Sequence, residues 1–194
     1  MIIHICGIDG SGKTSLAKSL TEFYDNSLFL ELSSSVKLVN QVNKVCEKCN
    51  STRWDLFDNY FRSILWANEL LSISNTFDKD KLYFLDRYKL CNYIYSQIED
   101  NSSMDVLQKI HSLIPEPNYI IFLDVSPDIA RERIINRGGK LTPKESLHNL
   151  YLARNLYLKY LKKNNSVFKV NANLDKDRVL ENAVEIINKK ILRR

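Results

Sequence analysis

The chain has 194 residues and a formal net charge of +5, with 44% hydrophobic and 26% charged residues. This length fits a single domain, and the composition is ordinary for a globular protein, which disfavours disorder, collagen and repeat arrays. The charge excess is too small to indicate a nucleic-acid partner, and no apolar stretch reaches the roughly 20 residues of a membrane span, so we expect a cytoplasmic protein.

Short apolar runs, which are typical of buried parallel strands, alternate with amphipathic helical patterns along the chain. This alternation predicts an α/β fold with a five-stranded parallel sheet flanked by helices on both faces. We expect one domain over residues 1–194. The predicted strands are Ile2–Cys6, Leu28–Leu32, Leu82–Leu85, Tyr119–Val125 and Val167–Val170.

The first predicted strand runs directly into the phosphate-loop pattern GxxxxGKS/T, from Gly7 to Thr14, and an amphipathic helix follows. This context turns successive backbone amides and a helix N-terminus toward a phosphate group, so it predicts a P-loop NTPase fold that binds ATP. Lys13 would reach the β- and γ-phosphates, and the Thr14 hydroxyl would ligate Mg²⁺. The predicted ATP-binding residues of the loop are Gly7, Gly10, Ser11, Gly12, Lys13, Thr14 and Ser15.

A phosphate loop alone is compatible with kinases, GTPases, ATPase motors and transporter subunits. A GTPase would need an Asn-Lys-x-Asp segment to read its base. Asn43-Lys44 and Asn188-Lys189 are the two Asn-Lys pairs, and neither continues to an aspartate, so a GTPase is disfavoured.

Between the second and third predicted strands lies one CxxC pair, Cys46 and Cys49. A structural zinc site needs four ligands, and the sequence offers no second CxxC or paired histidine motif. We therefore expect reduced, structural thiols rather than a structural metal.

Two predicted strands lead to an aspartate at their carboxyl ends, Asp86 and Asp124. Ligands bind outside the carboxyl ends of strands in open α/β sheets. Asp86 is followed at once by Arg87, and a carboxylate for Mg²⁺ or a nucleophilic oxygen beside a guanidinium for an acceptor phosphate favours phosphoryl transfer over hydrolysis. For Asp124, a capping or packing role is equally compatible.

Capping residues predict two further helix starts, one at Ser126 followed by Pro127, and one at Thr142 with Glu145 three residues later. The connector between these helices is short and glycine-rich. We expect residues 133–145 to form a short lid.

Arginines in this part of the chain are candidates to stabilise a transferring phosphoryl group, whose spreading charge calls for cations in a dry site. Arg137 leads into the glycine-rich connector, and Arg154 interrupts the apolar stripe of the next helix. An arginine in that position must snorkel, pair or face a ligand, and we favour a ligand for both residues. For Arg131 and Arg133, solvated charges are at least as compatible.

Four ordered segments resemble the thymidylate kinase family of nucleoside monophosphate kinases over nearly the whole chain. They are residues 7–14, Asp86-Arg87-Tyr88 with Asn92, Tyr95 and Ser96, residues 123–127 with Arg137-Gly138, and Arg154 with Tyr157. The resemblance implies an enzyme that transfers the γ-phosphate of ATP to a deoxynucleoside monophosphate, dTMP or a related pyrimidine deoxynucleotide. It also implies Mg²⁺ as cofactor and, as is usual in the family, a homodimer.

The resemblance further implies roles for single residues. Asp9 would lie near the sugar hydroxyl and the metal, Arg87 near the acceptor phosphate, Asn92 near the base and Tyr95 against the deoxyribose. Because Gly10 leaves the loop without an arginine of its own, the lid would supply a cation. The implied catalytic residues are Lys13, Asp86, Arg87, Arg137 and Arg154, the substrate-binding residues Asp9, Arg62, Arg87, Asn92 and Tyr95, and the metal ligands Thr14, Asp9 and Asp86.

Departures from the family pattern bear on the acceptor. Residues 31–35 read Glu-Leu-Ser-Ser-Ser where the family usually has Arg-Glu-Pro-Gly, and residues 46–49 resemble an insertion. Arg62 matches the base-reading arginine, but Asp58 stands where a stacking phenylalanine is expected four residues earlier. Either a neighbouring phenylalanine, Phe57 or Phe61, replaces it, or the register is displaced by one. A polar pocket could then accept a different or modified pyrimidine.

Asn171 and Asn173 follow the last predicted strand, where related kinases hold the adenine; a plain turn is equally compatible. Lys140 is the one cation between Gly138 and Thr142 in the expected lid. Two other functions stay open on the sequence. One is a P-loop kinase of a nucleoside or another small molecule, and the other is a catalytically inactive, nucleotide-binding regulatory protein.

Overall fold

Five parallel strands form one sheet with helices around it in the computed structural model, which describes residues 1–32, 37–138, 141–162 and 164–192. The strand order is β2-β3-β1-β4-β5. The strands are β1 Ile2–Cys6, β2 Ser27–Glu31, β3 Leu82–Asp86, β4 Tyr119–Asp124 and β5 Val167–Asn171. All five predicted strands are therefore confirmed, each within one residue at either end.

The burial of each strand follows its place in the sheet. The central strand β1 is buried at all five positions, as expected for a strand that is covered on both faces. The edge strands β2 and β5 are only partly buried, although their sequences predict buried strands. An edge strand has one neighbouring strand and is less completely covered than a central strand. Because side chains alternate between the two faces of a strand, Lys169 and Asn171 lie on the same face of β5, and both are exposed.

Nine α-helices lie within the described ranges. They are α1 Lys13–Phe23, α2 Lys37–Lys48, α3 Arg53–Leu56, α4 Asn59–Ser74, α5 Lys89–Glu99, α6 Met104–Ser112, α7 Pro127–Arg137, α8 Leu147–Leu161 and α9 Lys176–Ile186. A 3₁₀ turn at Pro143–Glu145 precedes α8, and a π-helical turn at Ile187–Ile191 follows α9.

Both predicted helix starts contain the capping residues that the sequence indicates. The Ser126 hydroxyl accepts a hydrogen bond from the Ile129 amide at the start of α7. Thr142 and Glu145 form a reciprocal capping box, but it opens the 3₁₀ turn, and α8 begins at Leu147 with Ser146 as its cap. The Glu145 carboxylate accepts hydrogen bonds from the Thr142 amide and hydroxyl. These bonds stabilise the 3₁₀ turn, which is separate from both α7 and α8.

The backbone divides into two compact units. The first unit comprises Met1–Leu30, Asp80–Asp86 and Pro117–Arg194, and contains most of the sheet with α1, α7, α8 and α9. The second unit comprises Glu31–Lys79 and Arg87–Glu116, and contains α2 to α6. None of the helices in the described ranges is both long and apolar enough to span a membrane.

The second unit has a polar interior at the packing of α4 against α5. Asn59, Ser63 and Ser96 are buried there. The Asn59 amide donates to the Ser96 carbonyl oxygen at 3.1 Å, and the Ser63 hydroxyl donates to the Asn59 side-chain oxygen at 2.9 Å. Because each of these buried polar groups has a partner, the network fixes how the two helices pack.

Two buried histidines predict an acid-sensitive fold. Burial, with a contribution from the charge of Lys13, lowers the pKa of His4 to about 3. Burial and the charge of Lys89 lower the pKa of His111 to about 4. The unfolded chain binds protons on these imidazoles below pH 6.5, whereas the folded chain does not, so stability is complete above that pH and falls as the pH decreases.

We expect the free energy of unfolding, measured by urea titration, to be about 3–4 kcal/mol lower at pH 5 than at pH 7, since each histidine contributes about 1.4 kcal/mol per pH unit. The His111→Gln variant should lose about half of this pH dependence. The matched control is the exposed His148, whose replacement by glutamine should leave the slope unchanged. Equal slopes in all three proteins would contradict the assignment.

Candidate active site

The loop between β1 and α1 packs closely against the end of β4 and against α7. Gly7 has a φ of 149°, and a Cβ atom there would lie 2.7 Å from the Leu123 carbonyl oxygen. Gly10 has a φ of 81°, and a Cβ atom would lie 2.4 Å from the Ala130 carbonyl oxygen. Both positions therefore require glycine. The predicted phosphate loop lies at the carboxyl edge of the sheet, next to the end of β4.

The start of α1 offers backbone donors. Gly12, with a φ of 91°, is its N-cap, and no side chain caps the helix. The first amides of a helix have no partner within it, so they are available to an anion. Ser11 is buried, and its hydroxyl lacks a hydrogen-bond partner in the described part of the chain; Ser15 is exposed on the first turn. This arrangement fits a phosphate group at the helix terminus.

The Lys13 side chain is directed into the loop. It is only 5% exposed, and its Nζ donates to the Ile8 carbonyl oxygen at 2.9 Å. Nζ also lies 3.6 Å from the Asp9 carboxylate. A lysine ammonium with few protein contacts of its own in such a loop is positioned to bind phosphate oxygens.

Thr14 and Asp86 meet at the carboxyl end of β3. The Thr14 hydroxyl donates to Oδ2 of Asp86. Asp86 is 2% exposed, and its Oδ1 has no hydrogen-bond partner among the residues that the structure describes. Mg²⁺ is bound by oxygen ligands and needs only one or two protein carboxylates beside its waters. The unpaired buried carboxylate oxygen beside the loop threonine therefore fits the predicted Mg²⁺ site.

The described ranges contain no group of three or more His, Cys, Asp or Glu residues that could hold a metal by themselves. The third predicted metal ligand, Asp9, lies beside Lys13 in the loop. The cysteines Cys6, Cys46 and Cys91 are buried, and Cys49 is exposed.

Arg154 on α8 and Lys169 on β5 both contact Asp124. The Arg154 Nε lies 2.7 Å from Oδ1 and its Nη2 lies 3.2 Å from Oδ2 of Asp124, while the Lys169 Nζ lies 2.6 Å from Oδ2. Burial raises the pKa of Asp124, but the hydrogen bonds and charges of Arg154 and Lys169 outweigh it and lower the pKa on balance. Asp124 is therefore an anion that orients Arg154, and the sequence did not point to Lys169.

Arg137 is at the end of α7 and is 64% exposed. Its Nη2 donates to Oε1 of Glu145 at 2.7 Å, and Oε2 of Glu145 accepts from the amide and hydroxyl of Thr142 at 2.8 Å each. A buried carboxylate thus ties Arg137 to the 3₁₀ turn. The predicted lid cation Lys140 and the serines 33–35 lie outside the described residues.

Asn171 and Asn173 form a closed turn after β5. The Asn171 side-chain oxygen accepts from the Asn173 amide at 3.1 Å, and the Asn173 side-chain oxygen accepts from the Ser126 amide at 2.8 Å. Arg133 donates to the carbonyl oxygens of Ala172 and Leu174, at 2.8 and 3.0 Å. These hydrogen bonds are those of a plain turn, which is one of the two interpretations that the sequence allows. Adenine binding, the other interpretation, stays a prediction. The hydrogen bonds also give Arg133 a packing role.

In the second unit, Arg87 has an unusual backbone conformation. Its φ is +70°, in the left-handed region, and its guanidinium carbon lies 6.0 Å from the centre of the buried Tyr95 ring. A non-glycine residue in this region costs about 1 kcal/mol, and such strain is concentrated at functional sites. Arg87 directly follows Asp86, the last residue of β3, in the chain.

We expect Arg87→Gly to be more stable than Arg87→Ala by about 1 kcal/mol in urea unfolding, because glycine adopts a positive φ without the Cβ penalty. At most other sites alanine is the more stable of the two. Asn101 is the matched control, since it has a φ of 60° on an exposed loop, and its glycine and alanine variants should differ in the same direction. Greater stability of Arg87→Ala would contradict the strain.

Arg62 is held by residues of its own unit. Its Nη1 donates to the Phe57 carbonyl oxygen, its Nη2 to the Glu99 carboxylate, and its guanidinium carbon lies 4.5 Å from the centre of the Trp54 ring. Asp58, which stands at the expected stacking position, caps α4 by accepting from the Phe61 amide at 2.8 Å. The aspartate that departs from the family pattern at position 58 is therefore explained by its role as the N-cap of α4.

Aromatic rings are nevertheless present near Asp58, because Phe57 and Phe61 stack with their centres 4.5 Å apart. Asn92 is buried on α5. Its Nδ2 donates to the Ser63 carbonyl oxygen at 3.0 Å and lies 3.4 Å from Nε2 of His111. Base contacts by Arg62 and Asn92 stay predictions.

Arg53 is a second cation that the sequence did not reveal. Its guanidinium carbon lies 5.3 Å from the centre of the Trp54 ring, which Arg62 also contacts. Burial, then the charges of Arg62 and Arg87, lower the pKa of Arg53, against an opposing contribution from Cys46. The charges of Arg62 and Arg87 thus act on Arg53, and an anion bound near Arg53 would offset them. No periodicity or motif marks Arg53 in the sequence.

Comparison with known proteins identifies the family that the sequence motifs resemble. The sequence model of the family described as thymidylate kinase matches residues 5–183. A probable thymidylate kinase 1 of Saccharolobus solfataricus is 32% identical over 198 residues, which cover 98% of each chain. A thymidylate kinase of Mycoplasmoides gallisepticum is 28% identical and covers 96% of this chain and 93% of its own.

Solved structures share the fold. A thymidylate kinase from Candida albicans superimposes with a TM-score of 0.75 over 96% of this chain and 90% of its own, at 18% identity. A deoxyadenosine kinase from M. mycoides does so with a TM-score of 0.73 over 97% and 99%, also at 18% identity. At this identity the two structures support the predicted P-loop NTPase fold.

Proposed function

The chain belongs to the thymidylate kinase family, and we propose that the residues described above transfer the γ-phosphoryl group of Mg-ATP to dTMP. The protein is a nucleoside monophosphate kinase. The observation that carries the assignment of residues is the Thr14–Asp86 hydrogen bond beside the phosphate loop, with Oδ1 of Asp86 buried and unpaired among described residues.

On the donor side, the loop amides and Lys13 hold the β- and γ-phosphates. The Lys13 ammonium exchanges its bond to the Ile8 carbonyl oxygen for phosphate oxygens, which carry more negative charge. Thr14 and Asp86, together with Asp9 of the loop, would hold Mg²⁺, which would supply positive charge to the phosphates. Asp86 keeps its carboxylate oriented through Thr14.

On the acceptor side, Arg87 binds the phosphate of the monophosphate. Arg87 directly follows Asp86, the last residue of β3, in the chain. Tyr95 supports the guanidinium, and a phosphate dianion would offset the positive charge that Arg62 and Arg87 present to Arg53. A neutral nucleoside would not offset that charge, which favours a monophosphate as acceptor.

Arg154 and Arg137 supply positive charge to the transferring group. Each is oriented by a buried carboxylate, Asp124 or Glu145, so little reorganisation is needed when charge develops on the phosphoryl oxygens. Preoriented charges of this kind stabilise the transition state more than mobile ones do.

The homodimer is a further proposal from the family resemblance. Three other proposals come from the sequence itself, namely the cytoplasmic location, the single domain over residues 1–194 and the lid at residues 133–145. The sequence relatives named above are a thymidylate kinase and a probable thymidylate kinase, which favours dTMP over the two alternatives, a kinase of a neutral acceptor or an inactive regulator.

The test is ADP formation from Mg-ATP with purified protein and a panel of acceptors. The panel comprises dTMP, dUMP, dCMP, dGMP, dAMP, UMP, CMP, thymidine and deoxyadenosine. We expect the highest kcat/KM with dTMP and little turnover of either nucleoside. Preference for another monophosphate would locate specificity at Asp58 and residues 33–35, whereas preference for a nucleoside would overturn the proposal.

A further inference from the structure

A lysine on the edge strand of the sheet joins the ion pair that holds Arg154. β4 and β5 pair in parallel with Asp124 opposite Asn171 and Phe122 opposite Lys169. Since strand side chains alternate between faces, Lys169 and Asn171 lie on the same face of β5. The diagonal neighbour Lys169 can therefore reach Asp124, and its Nζ lies 2.6 Å from Oδ2.

The charges of this cluster do not cancel. Asp124 contributes one negative charge, and Arg154 and Lys169 contribute two positive charges, with both cations on the same oxygen, Oδ2. Asp124 is 8% exposed, so its charge must be compensated by neighbours rather than by water. With Arg154 alone, the pair would be neutral; with Lys169, one positive charge is left over.

The cluster lies beside the phosphate loop. Asp124 is the residue after Leu123, whose carbonyl oxygen borders Gly7 at the start of the loop. The surplus charge is therefore at the carboxyl edge of the sheet, on the same side as the loop amides.

We propose that Lys169 is a positioning residue for phosphoryl transfer, which compensates the charge of Asp124 so that Arg154 can bind the transferring phosphoryl group. Without Lys169, a phosphate that shares the Arg154 guanidinium weakens the charge compensation of the buried Asp124 carboxylate, and this costs free energy in the transition state. With Lys169 in place, Asp124 keeps a partner throughout. This inference rests on the proposed function of Arg154.

The test compares Lys169→Met, Lys169→Arg and Lys189→Met in steady-state transfer from Mg-ATP to dTMP. Lys189 is the matched control, because it also pairs with a carboxylate, Glu185, at 2.7 Å and has a similar exposure, 66% against 58% for Lys169. We expect Lys169→Met to lower kcat about threefold to fivefold with little change in either KM, since exposed ion pairs contribute modestly. Lys169→Arg should restore most of kcat, and Lys189→Met should match the unmodified protein.

The salt dependence of kcat is a second measurement, because salt would not reverse a loss of activity that is caused by a structural defect. Because Lys169 is largely exposed, its effect is screened, and the ratio of kcat between the unmodified protein and Lys169→Met should approach one near 1 M KCl. Urea unfolding of each variant shows whether the fold is intact. A reduced kcat that tracks reduced stability, or that arginine does not rescue, would overturn the proposal.

Arg154→Ala separates this inference from the proposed function. If Arg154→Ala lowers kcat strongly while Lys169→Met equals the Lys189 control, the proposed role of Lys169 fails and that of Arg154 stands. If Arg154→Ala leaves kcat unchanged, the proposed role of Arg154 fails, and the inference about Lys169 fails with it.

Discussion

The Lys13→Ala variant is expected to lose at least about 1,000-fold in kcat with Mg-ATP and dTMP. The ammonium is the one side-chain cation inside the described phosphate loop, it is 5% exposed, and it is directed toward the Ile8 carbonyl oxygen and Asp9. In a water-excluded site, a fixed charge aimed at developing phosphate charge is worth several kcal/mol. The measurement is ADP formation under saturating substrates.

The control for Lys13→Ala is Lys18→Ala, on the exposed part of the same helix, where Nζ lies 5.7 Å from the centre of the Phe29 ring. This variant should retain nearly full activity. Unfolding in urea should show both variants folded. Substantial turnover by Lys13→Ala would mean that residues 7–14 are not the catalytic phosphate site.

Arg87→Ala is expected to reduce kcat/KM for dTMP about 100-fold, mainly through a higher KM for the acceptor, because a charged hydrogen-bonding partner of the phosphate is removed. The KM for ATP should change less than about twofold, since the donor loop is not altered. Arg87→Lys should be intermediate, because an ammonium keeps the charge but loses the bidentate geometry. Initial rates with each substrate varied in turn provide kcat and the KM values for ATP and dTMP.

Arg178→Ala is the control for charge removal, since Arg178 is exposed on α9 and pairs with Glu181 three residues away. It should leave both KM values unchanged. An equal loss of ATP and dTMP affinity in Arg87→Ala would contradict the acceptor role, and would indicate that the positive φ at Arg87 supports the neighbouring Asp86 instead.

The strands and the phosphate loop were predictable because their signals are local. A buried parallel strand is a continuous apolar run, and the GxxxxGKS/T pattern places glycines where the backbone approaches Leu123 and Ala130. The two capping pairs were equally local, although the second begins a 3₁₀ turn before α8 and not α8 itself. Their hydrogen bonds join residues no more than three apart.

The partners of the predicted arginines were not predictable, because each bond joins residues far apart in the chain. Arg154 is 30 residues from Asp124, and Arg62 is 37 residues from Glu99. Periodicity identifies an arginine within an apolar stripe, but it cannot say which carboxylate meets it. The same holds for Lys169, which reaches Asp124 only because β5 pairs with β4 in one register.

By itself, the sequence determined the fold class, the phosphate loop and the family, because these are encoded in short motifs and in their order along the chain. The tertiary structure alone decided that Asp124 is shared by Arg154 and Lys169, that Asp58 caps a helix, and that Arg53 and Arg62 lie against the same ring, Trp54. Such ion pairs and charge clusters depend on strand register and helix packing, which are set by many weak contacts between distant residues.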